Sequence, residues 1–164
     1  MKKPTGVREK KRQQLFTRRS YQMYRNMESR ARLLLGASFQ MPYQIEEFRD
    51  FVKLALNAGP LKYGTHSKCP YFPDEDLTVR NFSIDHRVPL SRLADEYKKE
   101  GHNWENLIVC SKSANLAKGE MTDTEFRALL DVLYSERFTA ASRKDVIGRL
   151  KAGASIKRLR FLRR

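Results

Sequence analysis

The chain has 164 residues, 40% hydrophobic and 32% charged, which suits one domain with a core of its own. Its 33 Lys and Arg against 19 Asp and Glu give a net charge of +14. Two cysteines cannot build a disulfide framework, no run of about 18 apolar residues could span a membrane, and the charged first residues are no secretory signal. A cytoplasmic protein with reduced thiols is therefore expected.

Charge is concentrated at the two ends. Residues 1–32 carry a net +9, residues 143–164 a net +8, and the stretch between them a net −3. Two separated segments of one sign favour a polyanion, nucleic acid before a membrane surface, because apolar anchors are sparse in the tail.

In chain order, residues 8–35 predict a long helix, with Phe16, Met23, Met27, Ala31 and Leu34 at three- and four-residue steps and Gly36 to end it. Residues 45–57 predict a second helix on the stripe Ile45, Phe48, Val52 and Ala55, stopped by Asn57-Ala58-Gly59-Pro60. Pro60 to Asp76 reads as loop. Residues 77–84 alternate and are β-rich, predicting a strand. Residues 89–101 run from Pro89 to Gly101 with room for a helical turn. Residues 107–110 predict a second strand and 112–118 a short helix. Thr122-Asp123-Thr124-Glu125 and Ser142-Arg143-Lys144-Asp145 read as capping boxes, opening helices to about Phe138 and to Ala152.

The chemistry gathers in three pieces: Asp85-His86-Arg87-Val88-Pro89 at a strand end, Asn106 before the second strand, and Asn115 with Lys118 on the short helix. Asp and Asn offer oxygen ligands, which suit Mg²⁺ and its retained waters. Such an ion can stabilise charge in a phosphoryl transfer. A neutral histidine can take a proton from water. Asp85 and His86 are adjacent, so a regular strand would point them to opposite faces. For both to reach one site, the chain is expected to leave strand geometry there. Each residue also has a plainer role. Asn115 can cap a helix, Asn106 can sit in a turn, and His66 and His102 can be ordinary loop residues. The order and spacing of all three pieces make the case.

These residues resemble the HNH endonuclease motif, the ββα-metal nuclease fold: Asp85-His86 followed by Val88-Pro89-Leu90-Ser91, then Glu105-Asn106-Leu107, then Asn115-x-x-Lys118-Gly119. The similarity is specific over residues 82–120. It is looser over Arg30–Phe48 and Met121–Phe126, which are similar to the flanking helices of free-standing phage and bacterial members. The fold it implies is α+β and mostly helical, with a two-stranded antiparallel hairpin plus helix flanked by N- and C-terminal helices. The regions would be a basic N-terminal helical part (1–58), a nuclease core with its downstream helix (59–138) and a basic C-terminal helix and tail (139–164).

The resemblance implies that His86 is the general base and that Asn106 ties the loop holding it. Asp85 and Asn115 would be the ligands of one Mg²⁺ or Mn²⁺. Arg87 and Lys118 would be phosphate contacts, with plain solvent exposure as the alternative. The reaction would be phosphodiester hydrolysis, nicking or cutting both strands, with 5′-phosphate and 3′-hydroxyl products. The setting would be the cytoplasm of a bacterial or phage-infected host cell. DNA is the expected partner, with RNA and the oligomeric state left open and no membrane involved.

Two departures matter. Asn115 stands where other members have His, which shifts the site toward Mg²⁺. Many relatives bind a structural zinc through two Cys-x-x-Cys pairs. Here Phe72 and Ser113 replace the second cysteine of each pair, beside Cys69 and Cys110. Two ligands do not close a zinc site, so no structural zinc is expected. Phe72 is expected to pack under the loop instead. The basic N-terminal helix and the tail are expected to grip DNA backbone. The competing reading is a non-catalytic basic nucleic-acid-binding protein, which explains the charge but not Asp85, His86, Asn106 and Asn115 in order. A nuclease toxin would need an immunity partner and an export route, and the sequence points to neither.

Overall fold

The structure, a computed structural model, describes residues 5–56 and 67–153. The stop at Asn57–Pro60, the loop to His66 and the tail Ser155–Arg164 lie outside the described residues. What is described is α+β and mostly helical. No helix among the described residues is long and apolar enough to cross a membrane.

Helix α1 (Thr5–Leu35) is followed by α2 (Ile45–Ala55), and the two pack together through Phe16, Ala31, Phe48 and Val52. Two-residue strands β1 (Ser67–Lys68) and β2 (Asp76–Leu77) pair antiparallel. Then comes the central hairpin, β3 (Phe82–His86) against β4 (Leu107–Ser111), antiparallel with Phe82 opposite Ser111 and His86 opposite Leu107. Between its strands run four short 3₁₀ turns. Helix α3 (Lys112–Lys118) leaves β4 directly, capped by the Ser111 hydroxyl, and α4 (Asp123–Tyr134) and α5 (Ala140–Lys151) complete the chain.

All five residues of β4 are buried. A strand sends alternate side chains to opposite faces, so a strand buried throughout has a core on each side. Leu107 and Val109 join the α1–α2 core, with Phe82 of β3. Ile108 and Cys110 join a second core with Ala114, Phe126, Leu133 and Leu150 of α3, α4 and α5. The described parts of residues 1–58 and 139–164 therefore share cores with the hairpin rather than folding apart from it.

Three sequence expectations need correction. The strand expected over 77–84 is two strands with a turn between them. The Asn81 side chain accepts from the Thr78 N–H at 2.7 Å and donates to the Asp76 carbonyl at 2.7 Å. That local amide bonding overrides the β propensity of Leu77, Thr78 and Val79. The last helix starts three residues early, because Thr139 and not Ser142 accepts the capping N–H, from Ser142 itself at 3.2 Å. The helix opened by Thr122 stops at Tyr134, where the Ser135 hydroxyl bonds back to the Val132 carbonyl at 2.7 Å.

A cap of this kind contributes about 1 kcal/mol. Thr139→Ala should lower stability by about that amount in urea unfolding, whereas Ser142→Ala should cost a few tenths at most. Equal losses would put the cap elsewhere.

Candidate functional site

Alternation along β3 decides which residues can meet. Ser83 and Asp85 point toward α3, and Phe82, Ile84 and His86 toward the α1–α2 core. The strand stays regular through His86, paired with Leu107. The expectation that the chain leaves strand geometry between Asp85 and His86 is thus not met. The two side chains lie on opposite faces of the hairpin end.

On the α3 face, Lys118 is the organising group. Its side chain is 0% exposed, and its Nζ donates to the His86 carbonyl at 2.8 Å while lying 3.0 Å from Asp85 Oδ2. The ammonium carries three N–H groups, so it serves the His86 carbonyl and the Asp85 carboxylate together, and the contact with Asp85 is a buried ion pair. Burial pushes the Asp85 carboxyl above its usual range, with Lys118 pulling the other way. Lys118 was expected as a phosphate contact; with its ammonium wholly enclosed it instead faces Asp85.

Asn115 lies one turn earlier on the same helix. Its Nδ2 donates to Ser83 Oγ and to the Ile84 carbonyl, both at 3.0 Å. Both amide hydrogens are thus committed, and Oδ1 is the atom left to accept or coordinate. Gly119, with a φ of 53°, ends the helix immediately after Lys118. Its positive φ is one that a side chain would strain.

His86 stands across the strand. Its Nε2 is buried with no hydrogen-bond partner, and its ring meets His102 edge-on, with centroids 5.3 Å apart and planes at 84°. Burial first, then the neighbouring His102 and Lys118, hold the His86 imidazole down to about 4. Buried His102, whose own ring nitrogens have no partner, is likewise held below its ordinary value by desolvation. Phe39 covers the other side of His102 at 5.5 Å. His102 reaches this place because Gly101 precedes it. A Cβ at Gly101 would stand 2.5 and 2.7 Å from the Leu90 and Leu93 side chains.

Asn106 joins these turns. Its Oδ1 accepts from the Val88 N–H at 2.8 Å, and its Nδ2 donates to the Val88 and Gly101 carbonyls at 3.0 and 2.9 Å. It thereby fastens the segment after His86 to the segment before His102. Arg87 is half exposed and pairs with Asp123 at 3.4 Å. The Asp123 N–H donates to the Arg87 carbonyl at 2.6 Å, and its carboxylate also receives Tyr71 and Arg127.

Of the expected site residues, Asp85, Asn115 and Lys118 come together on one face. His86 lies across the strand on the other face, Asn106 joins the turns at the hairpin end, and Arg87 pairs with Asp123 at the rim. His102 was missed, because only tertiary packing distinguishes it from any loop histidine. Cys69 and Cys110 are buried and free. Phe72 is buried edge-on against Phe126, and Ser113 donates to Glu75, which also takes Lys151. Among the described residues, no three His, Cys, Asp or Glu side chains gather into a metal-holding group. Asp85 and Asn115 are a different set, one carboxylate and one amide oxygen. No family model matches the chain, and no curated protein or solved structure shows significant similarity to it.

Removing Lys118 would strand a buried carboxylate. Lys118→Met should cost about 3–5 kcal/mol, and adding Asp85→Asn should recover a substantial part, as read in a double-mutant cycle of urea unfolding. Independent effects would contradict the pairing. Both His86 and His102 have folded values below their unfolded ones. Their contribution is complete above about pH 6.5 and is lost as pH falls toward the folded values, so Tm should drop between pH 7 and pH 5. His102→Phe should flatten that drop, and an unchanged slope would remove His102 as a cause.

Proposed function

We propose that this chain is a divalent-metal-dependent endonuclease of the HNH type, hydrolysing phosphodiester bonds in DNA. One observation carries the reading. The Asp85 carboxylate, buried and ion-paired with Lys118, lies on the same face of β3 as Asn115, whose amide hydrogens go to Ser83 and Ile84 and whose Oδ1 is the atom left to coordinate. A carboxylate and an amide oxygen on a rigid strand and helix fit a hard cation that keeps most of its waters. The antiparallel hairpin running directly into α3 supports the same reading. So does the concentration of positive charge in both ends of the sequence.

Mg²⁺ or Mn²⁺ held there would supply positive charge to the phosphoryl oxygens and the departing 3′-oxygen. His86, neutral at pH 7, is the base this reading assigns to the attacking water; its buried Nε2 lies across the strand from Asp85 and Asn115, so the role requires the strand end to open when substrate binds. Asn106 fixes the Val88 backbone and so the end of the strand that carries His86. Lys118 steadies the same residue from the other face through its carbonyl. The water oxygen bonds to phosphorus in line as the bond from phosphorus to the 3′-oxygen breaks; the 3′-oxygen takes a proton from solvent to leave as a hydroxyl, and the phosphate stays on the 5′ end. Arg87 is positioned by Asp123 and half exposed, so its guanidinium can meet a phosphate at the rim.

One observation favours the alternative, a non-catalytic nucleic-acid-binding protein: Lys118 already matches the Asp85 charge. A cleavage assay on supercoiled plasmid, single strands and RNA separates the two. Cutting should need Mg²⁺ or Mn²⁺, stop with EDTA and fall by about 10²-fold or more in His86→Ala. A wild-type protein inert on all three substrates, yet still binding them, would overturn the nuclease reading.

A further inference from the structure

The side of α1 that turns toward α2 near its N-terminal end is not apolar. Lys10, Gln14, Thr17 and Tyr21 recur at steps of four, three and four residues, with Arg18 alongside, and together they line a shallow open groove closed on its far side by Arg49 of α2. The stripe holds long donors, a hydroxyl and an aromatic ring, and no acid. Lys10 and Arg18 are exposed and have no side-chain partner among the described residues. Among the described residues, Arg49 makes one long ion pair, with Glu46 at 3.9 Å, and its Nε is buried with no hydrogen-bond partner. The part of the Arg49 guanidinium that faces the groove, with Lys10 and Arg18, gives the groove a positive lining with no acid in it.

We infer that this groove is a track for the phosphate backbone of a nucleic-acid strand, bound by Lys10, Arg18 and Arg49 with Gln14 and Thr17 as neutral donors. The inference deepens the nuclease reading and rests on it for the identity of the polyanion. The span from Lys10 to Tyr21 is roughly 16 Å, about the axial rise of four or five base pairs. The neighbouring Arg19 ties this part of α1 to the hairpin. It donates to the Arg80 carbonyl and, at 3.2 Å, to the Phe82 carbonyl, and lies over the Phe82 ring at 5.1 Å. Asp85 is three residues further along that strand, about 10 Å away. A backbone held in the groove is thus held at a fixed distance from the hairpin end. An anionic membrane is less well matched, since Tyr21 is the single large apolar group on the stripe.

The test compares wild type with Lys10→Gln/Arg18→Gln, and with that pair plus Arg49→Gln. Binding to a short DNA duplex is measured across salt, together with hydrolysis of the small diester bis(p-nitrophenyl) phosphate, which is too small to span groove and hairpin. The expected result is a salt slope reduced by about 2 in the double variant and about 3 in the triple, with small-diester hydrolysis unchanged. The double variant alters exposed side chains only, so it stays informative if Arg49→Gln weakens folding. Wild-type slopes in both variants, with cleavage intact, would overturn the track and leave the nuclease standing. A wild type that binds duplex through these residues but hydrolyses neither substrate would keep the track and overturn the nuclease. Loss of binding to phosphatidylserine vesicles without loss of duplex binding would overturn the nucleic-acid assignment.

Discussion

The arrangement depends on a buried charge. Asp85 is 7% exposed, and the side chain that meets it, Lys118, has no exposure at all. Enclosing two charges costs several kcal/mol each before their attraction is counted, so such a pair is weak evidence for stability in itself. What it does provide is register. Lys118 reaches Asp85 and the His86 carbonyl together only if α3 leaves β4 at one angle and stops one residue later, at Gly119. The same angle brings Asn115 against Ser83 and Ile84. One ion pair thereby sets the helix, the amide and the strand end together.

The hairpin makes this possible because it is buried on both faces. Each face of β4 feeds its own core, and each face of β3 carries its own chemistry. Acid and amide oxygens lie on the α3 side, and imidazoles on the α1–α2 side. The imidazoles and the acid and amide groups are separated by one strand and do not meet by direct contact. Two neutral histidines packed edge to face, with three ring nitrogens unpartnered between them, are held there by Gly101 and Asn106 rather than by favourable hydrogen bonding. Such uncompensated polarity is a common mark of a site under functional constraint.

Much of this was legible in the chain. The stripes of Phe16 and Ala31 and of Phe48 and Val52 marked α1 and α2. Leu107 to Cys110 marked β4, and Thr122 with Glu125 marked the start of α4 through a true capping box. These are local patterns, and local patterns survive folding when tertiary packing agrees with them. The errors were of another kind. Asn81 used its side chain to make a turn where Leu77, Thr78 and Val79 argued for a strand. Thr139 captured a cap that Ser142 also offered. Lys118 carried no sign of burial, since nothing in its neighbours says that Asp85 will lie beneath it. His102 was indistinguishable from any other loop histidine until the turns between the strands folded it onto His86.

The proposed nuclease role requires that the Asp85 charge, though matched by Lys118, can be given to a divalent cation shared with Asn115. Electron paramagnetic resonance of Mn²⁺ titrated into the purified chain addresses it without relying on catalysis. The account predicts one ion bound per chain, competed by Mg²⁺, lost in Asp85→Asn and weakened in Asn115→Ala. Binding that persists undiminished in Asp85→Asn, or a wild type that takes up no ion, would contradict it.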